Sequence, residues 1–243
     1  MMRVLVTRPE PDASLQAEAL AARGHEPVIA PLLTIEFLSD SKLGLDGVQA
    51  LIITSRNALR ALAAHPQRDE AIKIPVLAVG DATAHTAQEL GFREVTIGLG
   101  TGAALAGLIK QELEPKEGPL LYLTGDVIAF DLGAALEAHG FTVRKTMLYQ
   151  AAPADALPAE ALAALSAGRL DGVILMSPRT ARIFAALSAK HGTATPIKGP
   201  ICYCLSEAIA EELRPLGFAV RVAGAPREED VLALLDGEAA SST

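Results

Sequence analysis

Two stretches constrain the fold of this chain more than any other feature: Ile52-Ile53-Thr54-Ser55-Arg56-Asn57-Ala58-Leu59 and Ile174-Leu175-Met176-Ser177-Pro178-Arg179-Thr180-Ala181. Each is an apolar run that ends on a hydroxyl residue and then takes up helical spacing. Strands of a parallel sheet are covered on both faces, so they read as unbroken apolar runs. Serine at the exit of such a run is a good helix N-cap, because its side chain accepts a hydrogen bond from an early helix N–H. The junction aims the remaining N–H groups, and the positive helix end, at whatever lies beyond the sheet. Two such junctions, half a chain apart, predict two related lobes facing one ligand.

The remaining strand exits extend the pattern. Thr7-Arg8 follows Arg3-Val4-Leu5-Val6, Gly80-Asp81-Ala82-Thr83 follows Pro75 to Val79, Thr124-Gly125-Asp126 follows Pro119 to Leu123, and Ser206-Glu207 follows Pro200 to Leu205. Thr7 repeats as Thr124, Ser55 as Ser177 and Gly80 as Ser206, each pair roughly 120 residues apart, as an internal duplication with loop insertions gives. Leu90-Gly91-Phe92 repeats as the helix stop Leu216-Gly217-Phe218. Strand–helix alternation with short turns predicts an α/β protein with two doubly wound parallel sheets. Leu32 to Leu38, and the segment around Tyr149 to Pro153, read as extended crossings. Phe141 to Val143 and Met147 to Tyr149 read as two short extended pieces. Helices are expected over Asp155 to Ala167, from Ser206 to just before Gly217, and over Glu228 to Leu235, with Gly237 to Thr243 frayed. The pattern fits consecutive lobes and interleaved ones alike.

Composition supports that reading and removes several functions. Half of the 243 residues are apolar, 4% are aromatic and Trp is absent, so the cores must be built from Ala, Leu, Val and Ile. The formal net charge of −8 argues against general nucleic-acid binding, but not against an anionic small molecule, which responds to local donors. Met1-Met2-Arg3 runs straight into a strand, so no signal peptide is expected, and no apolar run approaches the ~20 residues of a membrane span. A cytoplasmic protein without membrane contact is expected. Cys202 and Cys204 lie two apart on a strand and read as small core residues. The five histidines have no metal-ligand spacing, and no metal or cofactor is expected.

The exits carry hydroxyls, glycines, an asparagine and arginines, groups that bind carboxylates or phosphates. Taken singly, such a hydroxyl is a cap worth ~1 kcal/mol. Six polar exits in register point to a binding edge, since ligands of open α/β sheets sit beyond the carboxyl ends of the strands. The candidate binding residues are Thr7, Arg8, Ser55, Arg56, Asn57, Gly80, Thr83, Thr124, Gly125, Ser177 and Ser206. Arg8 is either a bidentate carboxylate clamp or a partner in a surface salt bridge. Gly98-Leu99-Gly100-Thr101-Gly102 has a phosphate-loop look but lacks the Lys-Ser/Thr pair and the third-glycine spacing, so it reads as a flexible loop. No Ser-His-Asp set, Cys-His pair or metal cluster assembles. Any chemistry must lean on positioning and backbone dipoles. Tyr149 is the candidate acid, since a phenol keeps its proton at neutral pH. Its other reading is an aromatic plug at the crossing.

At these residues the chain resembles uroporphyrinogen-III synthases. The resemblance rests on Leu5-Val6-Thr7-Arg8-Pro9, Ile53 to Ala58, Val79-Gly80-Asp81-Ala82-Thr83-Ala84, Leu148-Tyr149-Gln150 and Met176-Ser177-Pro178, in that order. It implies two flavodoxin-like parallel-sheet lobes joined by two extended linker strands. Lobe 1 would comprise residues 1–33 plus 152–243, lobe 2 residues 38–147, with linkers near 32–38 and 148–153. The implied substrate is hydroxymethylbilane, a carboxylate-rich linear tetrapyrrole, closed with inversion of its last ring and loss of water. That makes the protein a monomeric, cofactor-free hydro-lyase of tetrapyrrole biosynthesis. The family's tyrosine proposed to assist hydroxyl departure maps onto Tyr149. One departure stands out: Ser206 and Ile209 occupy positions where the family usually has Gly and Thr. A hydroxyl contact from that turn must therefore come from Ser206 or be missing. Two rival readings remain. One is a non-enzymatic two-lobed binding protein for a small anionic metabolite, disfavoured by the missing signal peptide. The other is a phosphosugar enzyme, supported only by Gly98 to Gly102.

Overall fold

Ala50–Ile53 and Gly172–Leu175 are four-residue strands in which every residue is buried, which is why both read as unbroken apolar runs. The computed structural model describes residues 1–128, 130–192 and 199–241. In chain order the elements are Arg3–Val6 (β1), Asp12–Ala22 (α1), Glu26–Ile29 (β2), Leu33–Phe37 (β3), Ala50–Ile53 (β4), Arg56–Ala63 (α2), Arg68–Ala71 (α3) and Val76–Ala78 (β5). Asp81–Leu90 (α4), Val95–Ile97 (β6), Gly102–Glu112 (α5), Leu120–Gly125 (β7), Leu132–Glu137 (α6) and Val143–Pro153 (β8) follow. The chain closes with Ala159–Ser166 (α7), Gly172–Leu175 (β9), Pro178–Lys190 (α8), Ile201–Cys204 (β10), Glu207–Ala210 (α9), Val220–Val222 (β11) and Glu228–Ser241 (α10).

These strands form two sheets, ordered β11-β10-β9-β1-β2 and β3-β8-β7-β4-β5-β6. Pairing is parallel within β11-β10-β9-β1-β2 and within β8-β7-β4-β5-β6. Apart from edge strand β3, the two orders superpose element by element: β7 stands for β1, β4 for β9, β5 for β10, β6 for β11 and β8 for β2. The duplication read from Thr7/Thr124, Ser55/Ser177 and Gly80/Ser206 is therefore a duplication of sheet positions. The chain divides into two compact units, Met1–Thr34 with Ala152–Thr243, and Ile35–Ala151. It passes from the first to the second within β3 and returns within β8.

Each unit has two apolar layers, one on each sheet face, as a doubly wound sheet requires. In the first unit, Ala161, Ala164, Phe184 and Ile209 pack on one face, and Ala13, Leu20, Val231 and Leu235 on the other. In the second unit, α2 and α4 contribute Leu59, Leu62 and Ala87 to one face, while α5 and α6 contribute Leu105, Ile109, Leu132 and Leu136 to the other. The repeated Leu-Gly-Phe stops work alike. Gly91 and Gly217 are left-handed at φ +108° and +83°, a conformation that ends helices at no Cβ cost. The following Phe92 and Phe218 pack back on their cores.

The structure departs from the sequence expectation at several elements. The helix expected over Asp155 to Ala167 starts only at Ala159, because Pro158 is extended (φ −53°, ψ 146°) and a proline also biases the residue before it away from helix. The helix opened by Ser206 stops at Ala210, and the chain continues into a 3-10 turn at Arg214–Leu216, where Pro215 lacks an N–H. The two pieces expected at Phe141 to Val143 and Met147 to Tyr149 become one eleven-residue strand, β8. The short α3 has no counterpart in the sequence expectation. The last helix runs to Ser241 instead of ending at Leu235; of the tail expected to fray, Ser242 and Thr243 lie outside the described residues.

Candidate functional site

In the second unit the carboxyl ends of β4, β5 and β7, with Tyr149 of β8, surround a cavity of about 450 Å³. Its walls follow from the exits. Thr54 and Ser55 come from the end of β4, Val79 from β5, Gly100-Thr101-Gly102 from the approach to α5, Tyr122 and Gly125 from β7, and Tyr149 from β8. Val127, Ile128, Phe130 and Leu132, on the connection from β7 into α6, supply the apolar remainder. None of these lining side chains is charged.

The polar groups are fixed by local structure. Ser55 is extended (φ −147°, ψ 139°) and its Oγ accepts from the Asn57 N–H at 3.2 Å, capping α2. Thr101 is extended in the same way, and its Oγ1 accepts from the Ala104 N–H at 3.2 Å, capping α5. Two helix N-termini therefore end at the cavity and present N–H groups suited to anions. The Tyr122 hydroxyl lies 2.9 Å from Thr54 Oγ1. Tyr122 is only 3% exposed, so this bond satisfies a polar group that would otherwise be costly to bury.

Glycines set the cavity's dimensions at close approaches. The Gly98 and Gly100 N–H groups donate to the carbonyls of Ala78 and Val79, each at 2.8 Å. The Gly98 to Gly102 stretch is thus tied to the end of β5. Gly100 is left-handed at φ +84°, and a Cβ on Gly102 would sit 2.9 Å from the Phe130 ring. A Cβ on Gly125 would lie 2.5 Å from Tyr149 Cζ and 2.9 Å from its hydroxyl. The ring of Tyr149 rests directly on that glycine.

Of the candidate residues, Ser55, Gly125 and Tyr149 line this cavity. Thr124, next to Gly125, is buried. Arg56 and Asn57 form the first turn of α2, where Asn57 Oδ1 accepts from Arg60 Nη1 at 2.9 Å. Gly80 backs onto Gly100, and Thr83 is buried in the first turn of α4. The other candidates lie in the first unit. Thr7 is fully buried, and its Oγ1 donates to the Ile174 carbonyl at 2.7 Å. Arg8 holds Glu228 at 2.7 Å and Asp12 at 3.0 Å, and Gln16 Nε2 donates to the same Glu228 at 2.9 Å. The Arg8 guanidinium is thus paired with two carboxylates and largely buried. Ser177 accepts from the Thr180 N–H at 3.1 Å, capping α8, and Ser206 opens α9.

In the sequence, Thr54 and Thr101 stand out only within the Ile52 to Leu59 stretch and the Gly98 to Gly102 loop, not as candidate binding residues, and Tyr122 and Phe130 not at all in that role. Tyr122 carried a usable signal: a lone phenol in an otherwise apolar strand needs a hydrogen-bond partner. Phe130 carried none, since its place depends on the close approach to Gly102.

Asp131 caps α6 and is held below the usual carboxylate range by the Ala134 N–H and by Lys145 at 3.0 Å. Burial pushes the Cys202 thiol far up and the Cys204 thiol to about 12, so both stay protonated core residues. Among the described residues no group of three or more His, Cys, Asp or Glu is placed to hold a metal ion. No helix among them is long and apolar enough to cross a membrane.

Comparison with known proteins adds three findings. The family described as uroporphyrinogen-III synthase HemD matches residues 15–233. The uroporphyrinogen-III synthetase of Helicobacter pylori has a similar structure, with 21% identity and a TM-score of 0.66, over 98% of this chain and 99% of that one. A mutant uroporphyrinogen III synthase of the extremely thermophilic bacterium Thermus thermophilus is similar at 18% identity and a TM-score of 0.59, over 99% and 98% of the two chains. At these identities the structural likeness speaks for the fold. No curated protein sequence matches this chain.

Proposed function

This chain belongs to the uroporphyrinogen-III synthase family, and on that premise we propose that the cavity of the second unit holds the reacting part of the substrate, with Tyr149 as the acid. The function is uroporphyrinogen-III synthesis, the closure of hydroxymethylbilane with inversion of its last pyrrole ring and loss of water. Loss of the hydroxyl leaves an electrophilic azafulvene. Attack from the substituted carbon of the last ring gives a spiro intermediate, which fragments and recloses with that ring turned over. Without an enzyme the same chain closes to the uninverted isomer. The protein therefore has to select a substrate conformation more than to lower a large barrier.

The cavity suits that task. Its apolar wall of Val127, Ile128 and Phe130 offers a face for a flat pyrrole, while the N-termini of α2 and α5 offer neutral donors for its carboxylate arms. Hydrogen bonds to a charged group contribute about 1.5–3 kcal/mol each, enough for a few of them to choose one ring orientation over another. Tyr149 donates its phenolic proton to the departing hydroxyl, which leaves as water. The phenolate regains a proton when the last ring loses one on closure. In this reading the enzyme is a cyclising hydro-lyase that works as a cytoplasmic monomer and needs no cofactor.

The observation that carries the proposal is the placement of Tyr149 at a carboxyl-edge cavity with two helix N-termini and, among the described lining residues, no charged side chain. Nothing favours the binding-protein alternative. The test is to supply hydroxymethylbilane and separate the isomers. Isomer III is expected in excess; only isomer I, at the level of an enzyme-free control, would overturn the proposal.

A further inference from the structure

The pairing of β8 with β7 is regular from Leu120↔Val143 to Thr124↔Met147, and then jumps: Gly125 pairs with Tyr149, leaving Leu148 as an extra residue. Successive strand residues normally point to opposite faces. Here Leu148 belongs to, and Tyr149 packs against, the same apolar core, which is the consequence of one inserted residue. Bulges of this kind are uncommon in parallel pairs, and they re-aim side chains. The re-aimed ring lands on Gly125, the one residue type that leaves room for it.

The next residue completes the arrangement. The Asp126 N–H donates to the Tyr149 carbonyl at 3.1 Å, and Asp126 Oδ1 accepts from the Ala151 N–H at 3.0 Å. β7 ends at Gly125, so the Asp126 carboxylate supplies the acceptor that a further strand residue would have provided. Tyr149 is bracketed by glycine under its ring and by Asp126 along its backbone.

We propose that Gly125 and Asp126 form a seat that aims the Tyr149 hydroxyl, Asp126 being a positioning residue and Gly125 acting through Tyr149 rather than as a substrate contact. The inference rests on the reading of Tyr149 as the acid. It makes Asp126 matter as a hydrogen-bond acceptor and not as a charge.

The experiment combines kinetics with a probe of the ring itself. Gly125→Ala and Asp126→Ala are each expected to lower kcat at least tenfold with KM within about twofold. Asp126→Asn, which keeps an acceptor oxygen, should stay within about threefold of the unaltered protein. In a Tyr149→Phe background all three should change kcat less than twofold, since coupled residues are not additive. Labelling with 3-fluorotyrosine gives three 19F resonances, one per tyrosine, of which Tyr149→Phe identifies one. Gly125→Ala and Asp126→Ala should move that resonance and leave the other two in place. An unmoved Tyr149 resonance, a full independent loss in the Tyr149→Phe background, or Asp126→Asn as damaging as Asp126→Ala would each overturn the seat. If Tyr149→Phe leaves turnover intact while Asp126→Ala still moves the resonance, the seat stands and the acid assignment fails.

Discussion

Tyr149→Phe separates chemistry from packing because it removes one oxygen and keeps the ring. The phenyl group can still rest on Gly125 and pack against the Leu121, Leu123 and Leu148 core. The stability cost is then limited to hydrogen bonding by one hydroxyl, about 1 kcal/mol. The catalytic cost is larger. A positioned acid contributes roughly 10²- to 10⁴-fold, which at 1.36 kcal/mol per tenfold is about 3–5 kcal/mol of barrier. Because hydroxymethylbilane also closes unaided, a slower enzyme loses substrate to isomer I, so the isomer III to isomer I ratio should fall along with kcat. The assay is product separation at several enzyme concentrations, beside a urea unfolding curve. The expectation is a drop in kcat of a hundredfold or more, KM within about twofold, and an unfolding midpoint close to that of the unaltered protein. Turnover within twofold and isomer III still dominant would remove Tyr149 from the reaction. A loss of activity tracking a loss of more than about 2 kcal/mol of stability would mark it as structural.

Three further outcomes are expected. Gly172→Ala places a Cβ 2.7 Å from Tyr203 Cε2 and 3.1 Å from Cδ2; Tyr203 is fully buried, so overpacking should cost about 1–3 kcal/mol in a urea titration, and a neutral result would mean the ring moves freely. Tyr122→Phe removes the 2.9 Å bond to Thr54 and should cost about 1 kcal/mol, measured the same way; no loss would show that Thr54 is equally well satisfied by water. Asp131 is held below its ordinary value near 3.8, so its charge stabilises the fold above that pH, and the contribution is lost as pH falls through the lowered folded value. Asp131→Asn should therefore be less stable than the parent at pH 7, with the two curves converging below about pH 4; a gap that persists in strong acid would assign the effect to something other than the charge.

How far the sequence was readable depended on whether a residue's environment was local. β4 and β9 were legible because both faces are covered, and the caps Ser55 and Ser177 because a cap is a contact over two or three residues. The start of α7 was misjudged because Ala159 to Ala164 continues the Ala-rich run begun before Pro158, and composition outweighed the proline. β8 was broken in two because Arg144, Lys145 and Thr146 interrupt its apolar pattern; Arg144 and Lys145 are exposed, and hydrogen-bonding to β7 holds the strand together there. The cavity mixes both kinds of residue. Ser55 and Gly125 announce themselves as strand exits. The contacts of Tyr122 with Thr54 and of Phe130 with Gly102 join residues 68 apart or brought close only by a loop, and no periodicity encodes either.

The duplication sharpens what distinguishes the two units. β1 and β7 hold the same place in their sheets, and each carries a buried threonine at its carboxyl end, Thr7 directly after β1 and Thr124 next to last in β7. The next residue differs. In the first unit it is Arg8, whose guanidinium reaches Asp12 on α1 and Glu228 at the start of α10, so this strand end fastens two helices. In the second unit it is Gly125, which reaches nothing and leaves a space that the bulge in β8 fills with Tyr149. An arginine at that point would displace the ring; a glycine at residue 8 would remove the guanidinium that bridges Asp12 and Glu228. The same scaffold position thus fastens two helices in one unit and seats the Tyr149 ring in the other. A repeat of the fold supplies two sheet edges, but only the edge with no side chain after its threonine has room for the phenol.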